Sequence, residues 1–315
     1  MMANDFKNSV RRWAETEYFD QVGFTRIEPL PGTISDSFSR WIEKRFYGKM
    51  DWMERTAGLR LDPRMYFPEV KSMIVFLHSY HHRIPEEMEN LPVRIASYAH
   101  GKDYHYVLKK KMRRLTGKIS DVTGAFNYRF SIDSAPVLER FWAQKAGLGW
   151  QGKNSMLISP RLGSRNFISI ILTDLDIEPD PPFTRDLCGI CERCVSGCPT
   201  AAIMPDRTVN SNHCISYLTI EHKGRFDPSL PETAPWIFGC DACQDVCPWN
   251  RFSRETKELR FHPAYSADKI KDLINHPSES KFSGCFAGTA VKRAGAVHFR
   301  YVSERISRFP VRKGN

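Results

Sequence analysis

A mixed α/β layer followed by a small cysteine-built domain is the fold class that this sequence predicts, on three observations. Across residues 1–178, extended apolar runs alternate with helical patterns. Asp180-Pro181-Pro182 then punctuates the chain. Beyond it, eight cysteines fall at close spacing: Cys188, Cys191, Cys194 and Cys198-Pro199 in one run, Cys240, Cys243 and Cys247-Pro248 in another, with Cys214 between. The expected organisation is an α/β domain over 1–178, a cysteine domain over 179–255 and a basic segment over 256–315.

The first run reads C-x2-C-x2-C-x3-C-P, the spacing of bacterial two-cluster ferredoxins, in which the fourth cysteine reaches the other cluster. The second run ends alike but has Ile237 where the leading cysteine should stand, so Cys214 supplies that ligand from upstream. The ligand sets follow: Cys188, Cys191, Cys194 and Cys247 for one [4Fe-4S] cluster, and Cys198, Cys214, Cys240 and Cys243 for the other. A zinc ribbon wants isolated C-x2-C pairs, and disulfides suit secreted chains. Cys285, the ninth cysteine, lies outside both runs and reads as a plain thiol.

In chain order, Phe6, Val10, Trp13 and Phe19 among charges predict an amphipathic helix over 3–20, broken at Val22-Gly23-Phe24. Trp41, Phe46, Met50 and Met53 predict a second helix ending near Gly58, before a turn at Leu61-Asp62-Pro63. The apolar run Ser72 to Ser79 predicts a buried strand. Tyr104, Val107, Leu108, Leu115 and Ile119 fall at helical spacing, ended by Gly124. Phe126 to Ile132 alternates as a strand and delivers Asp133-Ser134-Ala135-Pro136 at its end. Val137 to Ala146 reads as helix, and Met156–Ile158 and Phe167–Leu172 as strands. Gly147, Gly149 and Gly152 have G-x-G-x-x-G spacing but follow a helix rather than a strand. They are read instead as glycines that let the backbone approach a large flat ligand.

The chain has 315 residues, enough for two domains, and its 41% hydrophobic content argues against disorder. Its N-terminus lacks an apolar h-region, and no run approaches membrane-spanning length, so a soluble cytoplasmic protein is expected. The formal charge is +10; two cubanes with their thiolates would bring it to about +6. Basic residues gather at 109–114 and 292–313, as solvated helix faces or as a nucleic-acid surface.

Taken together, these stretches resemble one family, the epoxyqueuosine reductases of tRNA modification. The resemblance is carried by Ala-Ser-Tyr-Ala-His-Gly-Lys-Asp-Tyr-His (96–105), Asp-Ser-Ala-Pro-Val-Leu-Glu-Arg (133–140) and Lys-Ala-Gly-Leu-Gly-Trp-Gln-Gly-Lys-Asn (145–154). The segments 214–224 and 238–250 and both cysteine runs add to it. It covers roughly residues 40 to 293. It implies a nitroreductase-like α/β cobalamin domain, two [4Fe-4S] clusters, and reduction of the epoxide of epoxyqueuosine at the tRNA wobble position to the alkene of queuosine. It also implies an external electron donor and no membrane partner. Longer members carry a C-terminal helical-repeat region that helps grip tRNA; this sequence ends at Asn315.

By position, the resemblance makes Asp133 the proton donor, which demands a carboxyl whose pKa burial raises. It implies corrin or tail contacts from Arg60, Asp133, Asn154, Leu157 and Ser216, and tRNA contacts from His222 and Lys223. Cobalamin is expected base-off with no histidine on cobalt: Asp103-Tyr104-His105 begins like D-x-H-x-x-G, but Leu108 stands where glycine should, so His105 reads as structural or substrate-side. Two other classes remain in view. A cobalamin-dependent small-molecule reductase gives no reason for the basic surface, and a plain ferredoxin-type carrier leaves residues 1–178 unexplained.

Overall fold

The structure, a computed structural model, describes residues 3–308. Helix α1 (Ala3–Thr16) leads into a four-stranded sheet of β1 (Gln21–Arg26), β2 (Ser72–Ser79), β3 (Tyr128–Ser131) and β4 (Asn166–Thr173). The strand order is β1-β2-β4-β3, and every neighbouring pair is antiparallel. Strands and helices alternate as expected, and the sheet they build is antiparallel, so the domain is mixed α/β.

The sheet is buried on both faces, which is why β2 reads as one apolar run. Ile74 and Phe76 join Val10, Ala14, Val107 and Met112 on the face covered by α1 and α2 (Tyr104–Thr123). Met73, Val75 and Leu77 join Trp142 and Ala143 of α3 (Glu139–Lys145) on the other. Strand β1 falls where a helix break was expected. Its Gly23 disguises the strand: a Cβ there would stand 2.1 Å from the Ala146 carbonyl oxygen at the end of α3. The helix expected around Trp41 to Met53 is broken into Gly32–Glu43, Trp52–Arg55 and Ala57–Leu61. Between the first two, Gly48 adopts φ 63° against the Tyr217 ring.

The glycine-rich loop has a packing role rather than the ligand-facing one expected. Trp150–Gln151 pairs with Leu157–Ile158 as a small hairpin. A Cβ on Gly149 would stand 2.1 Å from the Ile158 carbonyl oxygen, and one on Gly152 would strike the Ile158 side chain.

Residues 256–308 are not an appended basic tail. Phe261, Ile270, Phe282, Phe286, Phe299 and Val302 belong to the same core as α1 and α2. Cys285 is buried among them. The helix α5 (Ala296–Arg308) closes this segment; residues 309–313 of the basic run lie outside the described residues. The cysteine segment contributes Ile237 and Phe238 to the main core, and its Ile215 and Trp236 form a small cluster with Ala96, bordered by Tyr98 and Cys240. Helix α4 (Ile215–Ile220) starts directly after Cys214.

The other basic run is also partly consumed by the fold. Lys111 is 1% exposed and its ammonium lies 2.6 Å from Glu258, itself 7% exposed, tying α2 to the C-terminal segment. Arg114 pairs with Glu17. Burial lowers the Lys111 pKa. Burial alone would raise Glu258, but hydrogen bonds from Arg260 and Lys111 pull it down to about 2, so the pair is ionised.

Glu258→Ala would strand a buried ammonium and should destabilise by ~3–5 kcal/mol, read as a lower unfolding midpoint. Lys111→Met with Glu258→Leu should recover most of that loss. Because the Glu258 pKa is depressed, its contribution is present above its ordinary value of 4.5 and lost as pH falls through about 2.

Candidate active site and cluster centre

Asp133 sits just past β3 with φ 62°, a left-handed conformation that aspartate tolerates better than most residues. It is held there from below. Glu139, at the start of α3, accepts hydrogen bonds from the Asp133 backbone N–H at 2.8 Å and from the Ser131 hydroxyl at 2.6 Å. Burial, then the charge of Asp133, pushes the Glu139 carboxyl up to about 7.

The Asp133 side chain meets three groups from elsewhere. The Tyr104 hydroxyl donates to Oδ2 at 2.9 Å. His105 Nε2 lies 3.5 Å from the same oxygen, and Arg293 Nη1 lies 3.8 Å from it. Tyr104 stacks on Phe167 of β4 with a 10° interplanar angle, which fixes its hydroxyl. Asp103 caps α2 by accepting from the His105 N–H, and the same oxygen lies 2.8 Å from His105 Nδ1. His105 is thus placed between two carboxylates.

The proton of this cluster rests on His105. Desolvation alone would lower the imidazole, but hydrogen bonds and charge from Asp103 and Asp133 raise it to about 9. Desolvation alone would raise Asp133, but His105, Tyr104 and Arg293 together hold it below the usual carboxylate range. The raised Asp133 pKa expected for a proton donor is therefore overturned: at neutral pH the pair is imidazolium and carboxylate. Sequence reasoning read His105 as structural or substrate-side, which its place beside Asp133 fits, and missed Glu139 and Arg293. The Asp103 cap was visible as a signal for His105; Arg293 arrives from 160 positions away with none.

Asp133 keeps 59% of its side-chain surface open, yet desolvation is the largest influence on it. The carboxylate is thus reachable from solvent, with Tyr104, His105 and Arg293 around it. Arg60 is buried and feels the charges of Glu139 and Asp133. Asn154 is buried, with Nδ2 3.5 Å from the Cys243 carbonyl. Ser216 is half-buried, and its N–H and that of Tyr217 bond the Cys214 sulfur. The Leu157 side chain is packed among Trp142, Leu148 and Leu162, so only its backbone is left for a ligand contact. His222 is also corrected: it is 5% exposed and stacks on Phe226, so its ring faces no nucleotide. Lys223 is exposed, and its carbonyl accepts from Lys49.

The eight cysteines fall into two neighbourhoods. Cys194 and Cys247 are raised first by burial, then by charge from within the group Cys188, Cys191, Cys194 and Cys247. Cys214 and Cys240 are raised first by burial, then by charge from within Cys198, Cys214 and Cys240, with Cys240 reaching about 12. Cys243 joins the second group through Cys214 and Cys240, and also feels Cys194 across the gap. Among the described residues no three His, Cys, Asp or Glu donors close on a single-ion site. Trp150 Nε1 donates to the Cys188 sulfur at 3.3 Å, and the Ala202 N–H to the Cys198 sulfur at 3.3 Å. Near the second group, Cys240 and Tyr98 both border the apolar cluster of Ala96, Ile215 and Trp236, and the Tyr98 ring centroid is 6.0 Å from that of Tyr104.

Comparison with known proteins agrees with both halves of this arrangement. Residues 60–134 match the family model described as "Epoxyqueuosine reductase QueG, DUF1730", and residues 187–250 match "4Fe-4S double cluster binding domain". The epoxyqueuosine reductase of Leadbetterella byssophila is 40% identical over 92% of this chain and 94% of its own. The solved epoxyqueuosine reductase of Bacillus subtilis, with its catalytic aspartate loop swung out of the active site, superposes with a TM-score of 0.83 at 25% identity, covering 98% of this chain and 82% of that one. A further epoxyqueuosine reductase structure, with an epoxyqueuosine-modified tRNA stem loop, shares the fold with a TM-score of 0.85 at 24% identity, over 98% and 82% of the two chains. With an Asp133 loop beside a double-cluster cysteine domain, and with relatives of this identity along nearly its whole length, the chain belongs to the epoxyqueuosine reductase family.

Proposed function

We propose that the chain reduces the epoxide of epoxyqueuosine at the wobble position of tRNA to the alkene of queuosine, in the cytoplasm and with electrons from an external donor. The observation that carries this reading is Asp133, held by Glu139 with its carboxylate exposed and with Tyr104, His105 and Arg293 around one of its oxygens. Removing the oxygen breaks two C–O bonds, forms one C=C bond, consumes two electrons and two protons, and releases water.

The proposed ligand sets are Cys188, Cys191, Cys194 and Cys247 for one [4Fe-4S] cluster and Cys198, Cys214, Cys240 and Cys243 for the other, in line with the two neighbourhoods of thiols. Arg60, Asn154, Ser216 and the Leu157 backbone are the proposed cobalamin contacts; Arg60 and Asn154 are buried polar groups suited to such a role. When bound, the clusters supply single electrons and cobalamin supplies the reducing centre beside the epoxide. The chain's own residues handle the proton. Asp133 Oδ2 accepts the His105 Nε2 proton as the epoxide oxygen gains negative charge, and hands it to that oxygen. Arg293 and Tyr104 hold the carboxylate in place before and after. Lys223 is the exposed candidate for a phosphate contact, with His222 supporting it from beneath.

Asp133→Asn keeps the shape but cannot relay a carboxylic proton. Single-turnover conversion of an epoxyqueuosine stem loop by pre-reduced protein should fall by roughly 10²–10⁴-fold, with iron content and stem-loop affinity unchanged. A near wild-type rate would remove Asp133 from the reaction. Cys247→Ser should damage the cluster of Cys188, Cys191 and Cys194 and spare that of its sequence neighbours Cys240 and Cys243. Iron counting with electron paramagnetic resonance decides between them.

A further inference from the structure

The reaction consumes two electrons, which must come from outside the chain. Cys240 borders the apolar cluster of Ala96, Ile215 and Trp236, and the Cys243 carbonyl lies 3.5 Å from the Nδ2 of the buried Asn154. Cys247 instead lines a recess of about 730 Å³ open to solvent, formed where the two cysteine runs meet.

The recess is lined by Arg165, Arg193, Asp245, Val246 and Arg251, and two further exposed apolar side chains, Ile190 and Phe252, stand next in sequence to Cys191 and Arg251. Ile190, in the turn between Cys188 and Cys191, is fully exposed. Val246 is 36% and Phe252 44% exposed. Arg193 and Arg251 line the recess and are exposed, Arg251 lying over the Phe252 ring at 4.7 Å. The acidic groups nearby are already matched: Asp245 by Arg165 at 2.5 Å, Glu192 by Lys153 at 3.5 Å, and Asp186 by Arg207 at 2.5 Å. Among the described residues Arg193 and Arg251 have no such partner. The rim therefore carries uncompensated positive charge around exposed apolar side chains.

We infer that this recess beside Cys247 is the docking surface for an acidic one-electron carrier protein, which reduces the cluster of Cys188, Cys191, Cys194 and Cys247 at its solvent edge. The inference rests on the two-cluster reading above. Exposed aliphatic and aromatic side chains flanked by arginine suit a protein partner, where apolar contact is buried and arginine is enriched. A surface made only for phosphates would not need Ile190, Val246 and Phe252. Complementary charge would act chiefly on the rate of encounter and would weaken with salt. Each docking event passes one electron from the carrier, which is oxidised by one equivalent, to the cluster, which is reduced by one; two events supply one turnover.

The test uses Arg193→Glu with Arg251→Glu in the full-length, cluster-loaded protein. Reduced flavodoxin serves as the acidic carrier and reduced methyl viologen as a small cationic control. The expected result is a tenfold or greater fall in cluster reduction by flavodoxin at low salt, with the wild-type salt dependence lost. Reduction by methyl viologen, iron content and stem-loop affinity should be retained. An unchanged flavodoxin rate would overturn the inference. So would an equal loss with methyl viologen, or a loss of stem-loop affinity, which would assign the surface to tRNA. Iron content of the unsubstituted protein below eight per chain would instead count against the two-cluster reading itself.

Discussion

One exposed carboxylate, Asp133, gathers the rest of the structure around it. Asp133 takes a backbone conformation that costs energy for a residue with a side chain. The compensation is identifiable: Glu139 accepts from its N–H, the Tyr104 hydroxyl donates to its carboxylate, and His105 and Arg293 lie across from the same oxygen. These groups come from α3, α2 and the C-terminal segment, so the site exists only once the α/β layer and both of those elements are assembled. The buried Lys111–Glu258 pair and the shared core around Phe261 and Phe286 enforce that assembly.

The cysteine segment is joined to the rest of the chain by Ile237 and Phe238, which lie in the shared core, and cluster binding would add a further constraint. Cys240 and Tyr98 border one small apolar cluster, and Tyr98 lies beside Tyr104, so that group of thiols is the one linked through side chains to the surroundings of Asp133. Cys247 of the other group lines the solvent recess.

Much of this was legible in the sequence. Close cysteine spacing constrains geometry directly, and the match of residues 187–250 to a 4Fe-4S double cluster binding domain agrees with the two clusters that the spacing predicts. The long helix starting at Tyr104 and the buried strand from Ser72 have unmistakable periodicity. What escaped was non-local. Strand direction depends on crossovers that no local pattern encodes, so the antiparallel order was not readable. Gly23 looked like a break because its reason, the Ala146 carbonyl, lies 123 positions away. The glycines at 147–152 looked ligand-facing because close backbone packing and ligand approach demand the same residue. His222 looked like a contact because sequence position does not report burial. The direction of the Asp133 shift was misjudged because burial and pairing act oppositely, and only the structure places His105 and Arg293 beside it.

The most direct test is the pH dependence of single-turnover conversion of an epoxyqueuosine stem loop to queuosine by pre-reduced protein. If the reacting proton rests on His105, the rate stays level through neutral pH and falls as pH rises through about 9, where His105 loses its proton. A rate that already falls with a midpoint near the ordinary carboxylate range, or that stays level well above 9, would contradict the account.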